Sequence, residues 1–127
     1  MKNRTFLLLG TNLGDRKKNL TIARDSIELS VGVIKNTSSI YETAAWGKSD
    51  QPDFLNQAVE VETELSPMRV LKEILDVETI MGRVRNVKWS ERLIDIDILL
   101  YGEVVINSDE LTLPHPHLRL RGHRAAG

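Results

Sequence analysis

Between Phe54 and Leu65 the chain alternates so regularly that few folds can hold it. Leu55, Val59, Val61 and Leu65 share one parity, while Glu60, Glu62 and Glu64 share the other. Successive side chains of a strand point to opposite faces, so this segment is a strand with one face in a core and one in water. Ser66-Pro67 follows at once and reads as a helix start. Ser66 suits the N-cap, and Pro67 suits the first helical position, where its missing N–H leaves no bond unmade. The helix predicted from there buries Leu71, Ile74, Leu75 and Met81, and Gly82 stands where a C-terminal cap belongs.

The same units occur on either side. Thr5 to Leu9 reads as a short buried strand ending at Gly10, followed by a polar turn, Thr11 to Asp15. A helix from Arg16 to Leu29 carries Leu20, Ala23 and Ile27 on its inner face. Val33 to Glu42 reads as a second strand, and Ala44 to Pro52, with its Gly, Ser, Asp and Pro, as a loop. Leu93 to Tyr101 is a fourth strand, Val104 to Ile106 a short edge strand, and Leu113-Pro114-His115-Pro116 a rigid extended loop. The order is β-α-β-β-α-β with additions, which predicts an α+β, ferredoxin-like fold: an antiparallel sheet with helices packed on it. At 127 residues the chain is expected to be a single domain, residues 1–127.

Composition removes several function classes. Lys and Arg total 17 against 18 Asp and Glu, without the positive excess of nucleic-acid or membrane-surface binders. There is no cysteine, so disulfides, thiol chemistry and thiolate-bound metals are excluded. The apolar run Phe6 to Leu9 is too short for a signal sequence or a membrane span, and a cytoplasmic protein is expected.

The chemistry gathers on the fourth strand. Ile94, Ile96, Ile98 and Leu100 make one apolar face, leaving Leu93, Asp95, Asp97, Leu99 and Tyr101 on the other. A period of two puts both carboxylates on one face with Cα atoms about 6.7 Å apart. The isoleucines and leucines around them predict a well-packed central strand, where two like charges need something positive to offset them. Oxygen ligands without His or Cys suit Mg²⁺, which takes one or two carboxylates and completes its shell with phosphate and water. The segment leading into the strand, Gly82 to Arg92, supplies Arg83, Arg85, Lys88 and Arg92 together with Trp89. Carboxylate-held Mg²⁺ with cations on the remaining phosphate oxygens is the apparatus of phosphoryl transfer. The blander reading is a solvated sheet face beside a solvated charged loop, against which stand the poor strand propensity of Asp and an indole placed in a polar loop.

Weaker signals surround this core. His115, held between prolines, could donate to a phosphate oxygen or a nucleotide. Asn12 and Asn56 stand where strands meet loops and could read the polar edge of a heterocycle. Glu78 falls on the apolar stripe of the second helix and calls for a partner such as Arg or a ligand hydroxyl. Gly10 to Gly14 matches neither the P-loop nor the dinucleotide-binding glycine pattern. A palm-type two-metal nucleotidyl-transfer enzyme and a non-catalytic ferredoxin-like binding module are the alternatives. An RNA-binding version of the latter would show aromatics on its central strands and a positive excess.

Several segments resemble one family. They are Leu9 to Arg16, Tyr41 to Gly47, Gln51 to Asn56, Gly82 to Arg85, Lys88 to Leu99, and Leu113 to Pro116. Together they are similar to 6-hydroxymethyl-7,8-dihydropterin pyrophosphokinase, an ATP-dependent enzyme of folate biosynthesis, from Leu7 to about Arg121. The resemblance implies transfer of pyrophosphate from Mg-ATP to the pterin hydroxymethyl group, with release of AMP. It implies two Mg²⁺ on Asp95 and Asp97, and catalytic roles for Arg83 and Arg92 beside them. Arg85, Lys88, Arg92, His115, Arg121 and Glu78 fall to ATP binding; Thr43, Phe54, Asn56, Trp89 and Asp95 fall to the pterin. The partners implied are these small molecules alone, with a monomer expected. Thr11 replaces the serine usual in the family, His123 stands where an aromatic is usual, and the family's C-terminal segment is expected to be missing, so an inactive remnant of the enzyme is a further alternative.

Overall fold

A computed structural model gives the structure of residues 2–44, 52–84 and 93–116. The elements run β1 (Asn3–Thr11), α1 (Arg16–Ser30), β2 (Gly32–Thr37), β3 (Tyr41–Thr43), β4 (Phe54–Thr63), α2 (Pro67–Val84), β5 (Asp95–Tyr101), β6 (Ile106–Asn107) and β7 (Thr112–Leu113). The main sheet has the order β2-β4-β1-β5, every pairing antiparallel, and β3 joins β4 beyond the end of β2. This is the α+β, ferredoxin-like arrangement expected from the sequence.

Local chemistry sets the helix ends. The Asp15 carboxylate accepts from Lys18 N–H at 3.1 Å, and Ser66 Oγ accepts from Arg69 N–H at 3.3 Å, each satisfying an amide that the first helical turn leaves open. Helix α1 packs on β1, β2 and β4, and α2 on β5 and α1. Leu7, Leu9, Leu20, Ile27, Val61 and Val70 are fully enclosed between these layers. Burying each such side chain contributes about 1.5–3 kcal/mol. The opposite face of the sheet is open, and there Glu60 bonds to Arg4 and to Asn36 Nδ2. Both partners hold the Glu60 carboxyl below its ordinary range, with the Asn36 hydrogen bond the larger cause.

Several expectations change. Among the described residues strand β5 lies at the sheet edge, with β1 on one side only, and is not central. Its parity also reverses. Phe6 faces Leu100 but Leu7 faces Ile98, so Leu99 has no residue opposite it. This bulge turns Tyr101 to the core side with Ile96 and Ile98, where its hydroxyl donates to Leu65 C=O at 2.6 Å. The predicted strand from Val33 to Glu42 is divided into β2 and β3. In α2 the buried stripe is Val70, Ile74, Val77 and Met81, while Leu75 is half exposed. Gly82 lies inside that helix, which continues to Val84. The segment read as a rigid loop contributes β7, which pairs with β6 as a small hairpin before a cis Leu113–Pro114 bond.

Candidate active site

On the open face of the sheet the register brings distant residues side by side. Gly10 of β1 faces Asn56 of β4 on one side and Asp95 of β5 on the other; Leu8 stands likewise between Ala58 and Asp97. Thr43 pairs with Phe54. Leu8, Gly10, Thr43, Phe54, Asn56, Asp95 and Asp97 thus line one cavity of about 280 Å³. Gly10 forms its floor, because a Cβ there would sit 3.2 Å from Asn56 Oδ1 and 3.8 Å from Phe54 Cδ1. Asn56 is aimed by Thr43, whose hydroxyl accepts from Asn56 Nδ2 at 2.9 Å. An aromatic ring, an oriented amide and a flat glycine floor suit a planar heterocycle with hydrogen-bonding edges.

A second cavity, also about 280 Å³, opens beside β5, and its lining includes Asp97, Ile98, Thr112 and His115, with Asp109 and Glu110 of the hairpin. Asp97 therefore borders both cavities. That access follows from the edge position of β5, since a central strand would have a neighbour where the second cavity lies. Asp97 is exposed and Asp95 half-buried. Bonds from outside the sheet hold the strand between the two spaces. Ile96 N–H, between the carboxylates, donates to Glu78 Oε2 of α2 at 2.8 Å, and His115 N–H donates to Leu99 C=O at 2.8 Å.

The sequence-predicted residues thus divide into groups. Thr43, Phe54, Asn56, Asp95 and Asp97 come together, and His115 joins Asp97 at the second cavity. Glu78 meets the β5 backbone from the helix. Asn12 donates to Pro52 C=O at 3.2 Å and does not line the first cavity. Arg83 lies in the last turn of α2, while Arg85, Lys88, Trp89, Arg92 and Arg121 lie outside the described residues. Sequence reasoning missed Leu8 and Gly10, which were read as buried strand and strand end, and the hairpin residues Asp109, Glu110 and Thr112. A larger cavity, about 730 Å³, shares Tyr41 with the first but lacks the carboxylate pair. Its Arg16 is engaged by Glu42 at 3.0 Å and by Asp53 C=O at 2.8 Å.

The family model of 7,8-dihydro-6-hydroxymethylpterin-pyrophosphokinase matches residues 6–125. The chain belongs to that family. The chain is 42% identical over 111 residues to the Haemophilus influenzae 2-amino-4-hydroxy-6-hydroxymethyldihydropteridine pyrophosphokinase, covering 87% of this chain and 69% of the relative. The Bacillus subtilis protein of the same name is 40% identical over 119 residues, covering 93% and 71%. The chain also matches 22% of the mitochondrial folate synthesis bifunctional protein of Pisum sativum, at 40% identity over 88% of its own length. Among solved structures, the Plasmodium falciparum HPPK-DHPS with pterin and p-hydroxybenzoate superposes with a TM-score of 0.65 at 24% identity, over 84% of this chain and 29% of that one. That likeness carries the fold. Among the described residues no helix is long and apolar enough to cross a membrane, and no group of three or more His or acidic side chains gathers to hold a metal.

Proposed function

We propose that the chain transfers the pyrophosphoryl group of ATP to the hydroxymethyl oxygen of 6-hydroxymethyl-7,8-dihydropterin and releases AMP, a step of folate synthesis. The observation that carries this reading is Asp97, which borders a cavity suited to a flat heterocycle and a second one beside His115. Asp95 and Asp97 lie at the junction where a hydroxyl held in the first space would meet a phosphate chain held in the second. The pterin would rest on Phe54 and over Gly10, with Asn56 and Thr43 reading its edge; His115 and Glu78 fall on the nucleotide side. Arg83, Arg85, Lys88, Arg92 and Arg121 are the proposed phosphate-binding and catalytic cations, and Trp89 the second face of the pterin site.

Mg²⁺ is the proposed cofactor, with two ions accompanying ATP. The donor set fits: two carboxylates, one exposed and one half-buried, leave coordination positions for phosphate and water, as Mg²⁺ requires. When bound, the ions would offset phosphate charge. The protein's own part is to orient the hydroxyl toward the β-phosphorus and to keep the two substrates in line. The proposed setting is the cytoplasm, and the proposed oligomeric state is a monomer.

Asp95→Ala and Asp97→Ala should each abolish Mg-ATP-dependent AMP formation. Asp97 is exposed, so its replacement should change stability by only about 0.5 kcal/mol. Wild-type activity in both variants would remove the carboxylates from the reaction. Release of pyrophosphate in place of AMP would indicate attack at the α-phosphorus and a nucleotidyl-transfer enzyme.

A further inference from the structure

Two threonines stand at the ends of β1 on its buried face, and each bonds to a carbonyl at one end of the β5 segment. Thr5 Oγ1 donates to Leu100 C=O at 2.8 Å, and Thr11 Oγ1 donates to Leu93 C=O at 2.6 Å. The second bond is itself held from α1. Asn19 Nδ2 donates to Thr11 Oγ1 at 3.2 Å and to Leu13 C=O at 2.8 Å. Thr11 and Asn19 are each only 1% exposed. Asn19 Oδ1 is buried without a hydrogen-bond partner among the described residues, an arrangement that lowers stability. What the amide contributes is therefore its two donated bonds, one that satisfies the Leu13 carbonyl of the turn and one that reaches Thr11.

The place where the chain of bonds ends supplies a reason. Gly10–Asp95 is the last rung of the β1–β5 ladder, so nothing in the ladder holds the chain before Asp95. Strand ends open more readily than strand centres. The Thr11–Leu93 bond continues the attachment past the last rung, two residues ahead of Asp95, and Asn19 fixes the hydroxyl that makes it. We infer that Thr11 and Asn19 are positioning residues for the carboxylate pair, acting through the backbone at Leu93. The inference rests on the reading of Asp95 and Asp97 as the Mg²⁺-ATP carriers. Supporting groups of this kind typically change metal affinity about 10- to 100-fold when removed.

The internal control is Thr5, which makes the same kind of bond at the far end of β5. The full chain and its variants Thr11→Val, Thr11→Ser, Asn19→Leu and Thr5→Val would be compared by AMP formation against Mg²⁺ concentration. Thermal unfolding and amide exchange across residues 93–97 complete the set. Thr11→Val and Asn19→Leu should raise the half-saturating Mg²⁺ concentration about tenfold and speed exchange at 93–97, and Thr11→Ser should restore both. Thr5→Val should lower the melting temperature as Thr11→Val does, yet leave the Mg²⁺ midpoint within about twofold of wild type. Equal Mg²⁺ shifts in Thr5→Val and Thr11→Val, or wild-type exchange and midpoint in Thr11→Val, would overturn the inference. If Thr11→Val does not fold, Asn19→Leu against Thr11→Ser decides. If the wild-type chain forms no AMP, the pyrophosphokinase reading fails. The exchange rates then judge the positioning role: selective loosening of 93–97 in Thr11→Val supports it, and loosening equal to that in Thr5→Val refutes it.

Discussion

Adding one methyl group at Gly10 isolates the heterocycle cavity from everything else in the protein. Gly10 is ordinary extended strand backbone, paired with Asn56 and Asp95, so an alanine there meets no conformational obstacle. What the methyl meets is Asn56 Oδ1 at 3.2 Å and Phe54 Cδ1 at 3.8 Å. Comfortable carbon contacts begin at about 3.5 Å, so Asn56 must retreat by a few tenths of an ångström. Its bond to Thr43 Oγ1, 2.9 Å long, is the restraint that such a movement loosens. Losing that bond costs about 0.5–1.5 kcal/mol, and crowding a filled cavity with a methyl costs about 1–3 kcal/mol. Together these make roughly 1.5–4.5 kcal/mol in the complex, a pterin affinity weakened roughly 10- to 1,000-fold at 1.4 kcal/mol per tenfold. Titration of Gly10→Ala with the pterin, and separately with Mg-ATP, measures this directly. ATP affinity should stay near wild type, because the second cavity is not touched, while the melting temperature should fall by a few degrees as the Asn56–Thr43 bond loosens. A pterin affinity unchanged within about twofold, or a loss falling equally on ATP, would refute the placement of the heterocycle over Gly10.

Two other tests follow from the same geometry. If Thr43 aims the Asn56 amide, Asn56→Ala and Thr43→Ala should be non-additive in pterin affinity, with a coupling of about 0.5–1.5 kcal/mol; strict additivity in that double-mutant cycle would show that the bond does not serve the site. The Glu60 carboxyl, held below its ordinary range by Asn36 and Arg4, stabilises the fold above the unfolded glutamate pKa near 4.5. That contribution is lost as the pH falls through the lower folded value. Urea unfolding should show Glu60→Gln less stable than wild type at pH 7 and the difference shrinking below about pH 4.5, whereas a gap that grows on acidification would contradict the assignment.

The features legible in the sequence were those written within one element. The alternation of β4, the Ser66 cap and the common face of Asp95 and Asp97 each depend on neighbours a few residues away, and all are present in the structure. Relations between elements were not legible. Whether β5 is central or at the edge is decided by which strands pair with it, and its internal spacing carries no trace of that. The bulge at Leu99 is a mismatch between two strands, so the alternation read from one of them put Tyr101 on the wrong face. In α2, a count from Leu71 through Leu75 picked a stripe slightly rotated from the one that meets the sheet at Val70, Ile74 and Val77. The hairpin strands, Ile106–Asn107 and Thr112–Leu113, are too short to carry any period. For the site, Phe54 and Asn56 could be suspected singly; Gly10 became part of it only through its register against Asn56 and Asp95.

The edge position of β5 has a consequence for how the protein behaves in a crowded solution. A strand edge is a row of donors and acceptors that another chain can extend, and an edge kept clear for a ligand is exposed to that hazard. Here Ile96 N–H is already taken by Glu78 and Leu99 C=O by His115. An incoming strand would have to displace a carboxylate on one group and a backbone amide on the other. The contacts that hold the strand beside the cavity proposed for the nucleotide also obstruct foreign strands at these two groups, so an edge left open for a ligand is not left wholly unguarded.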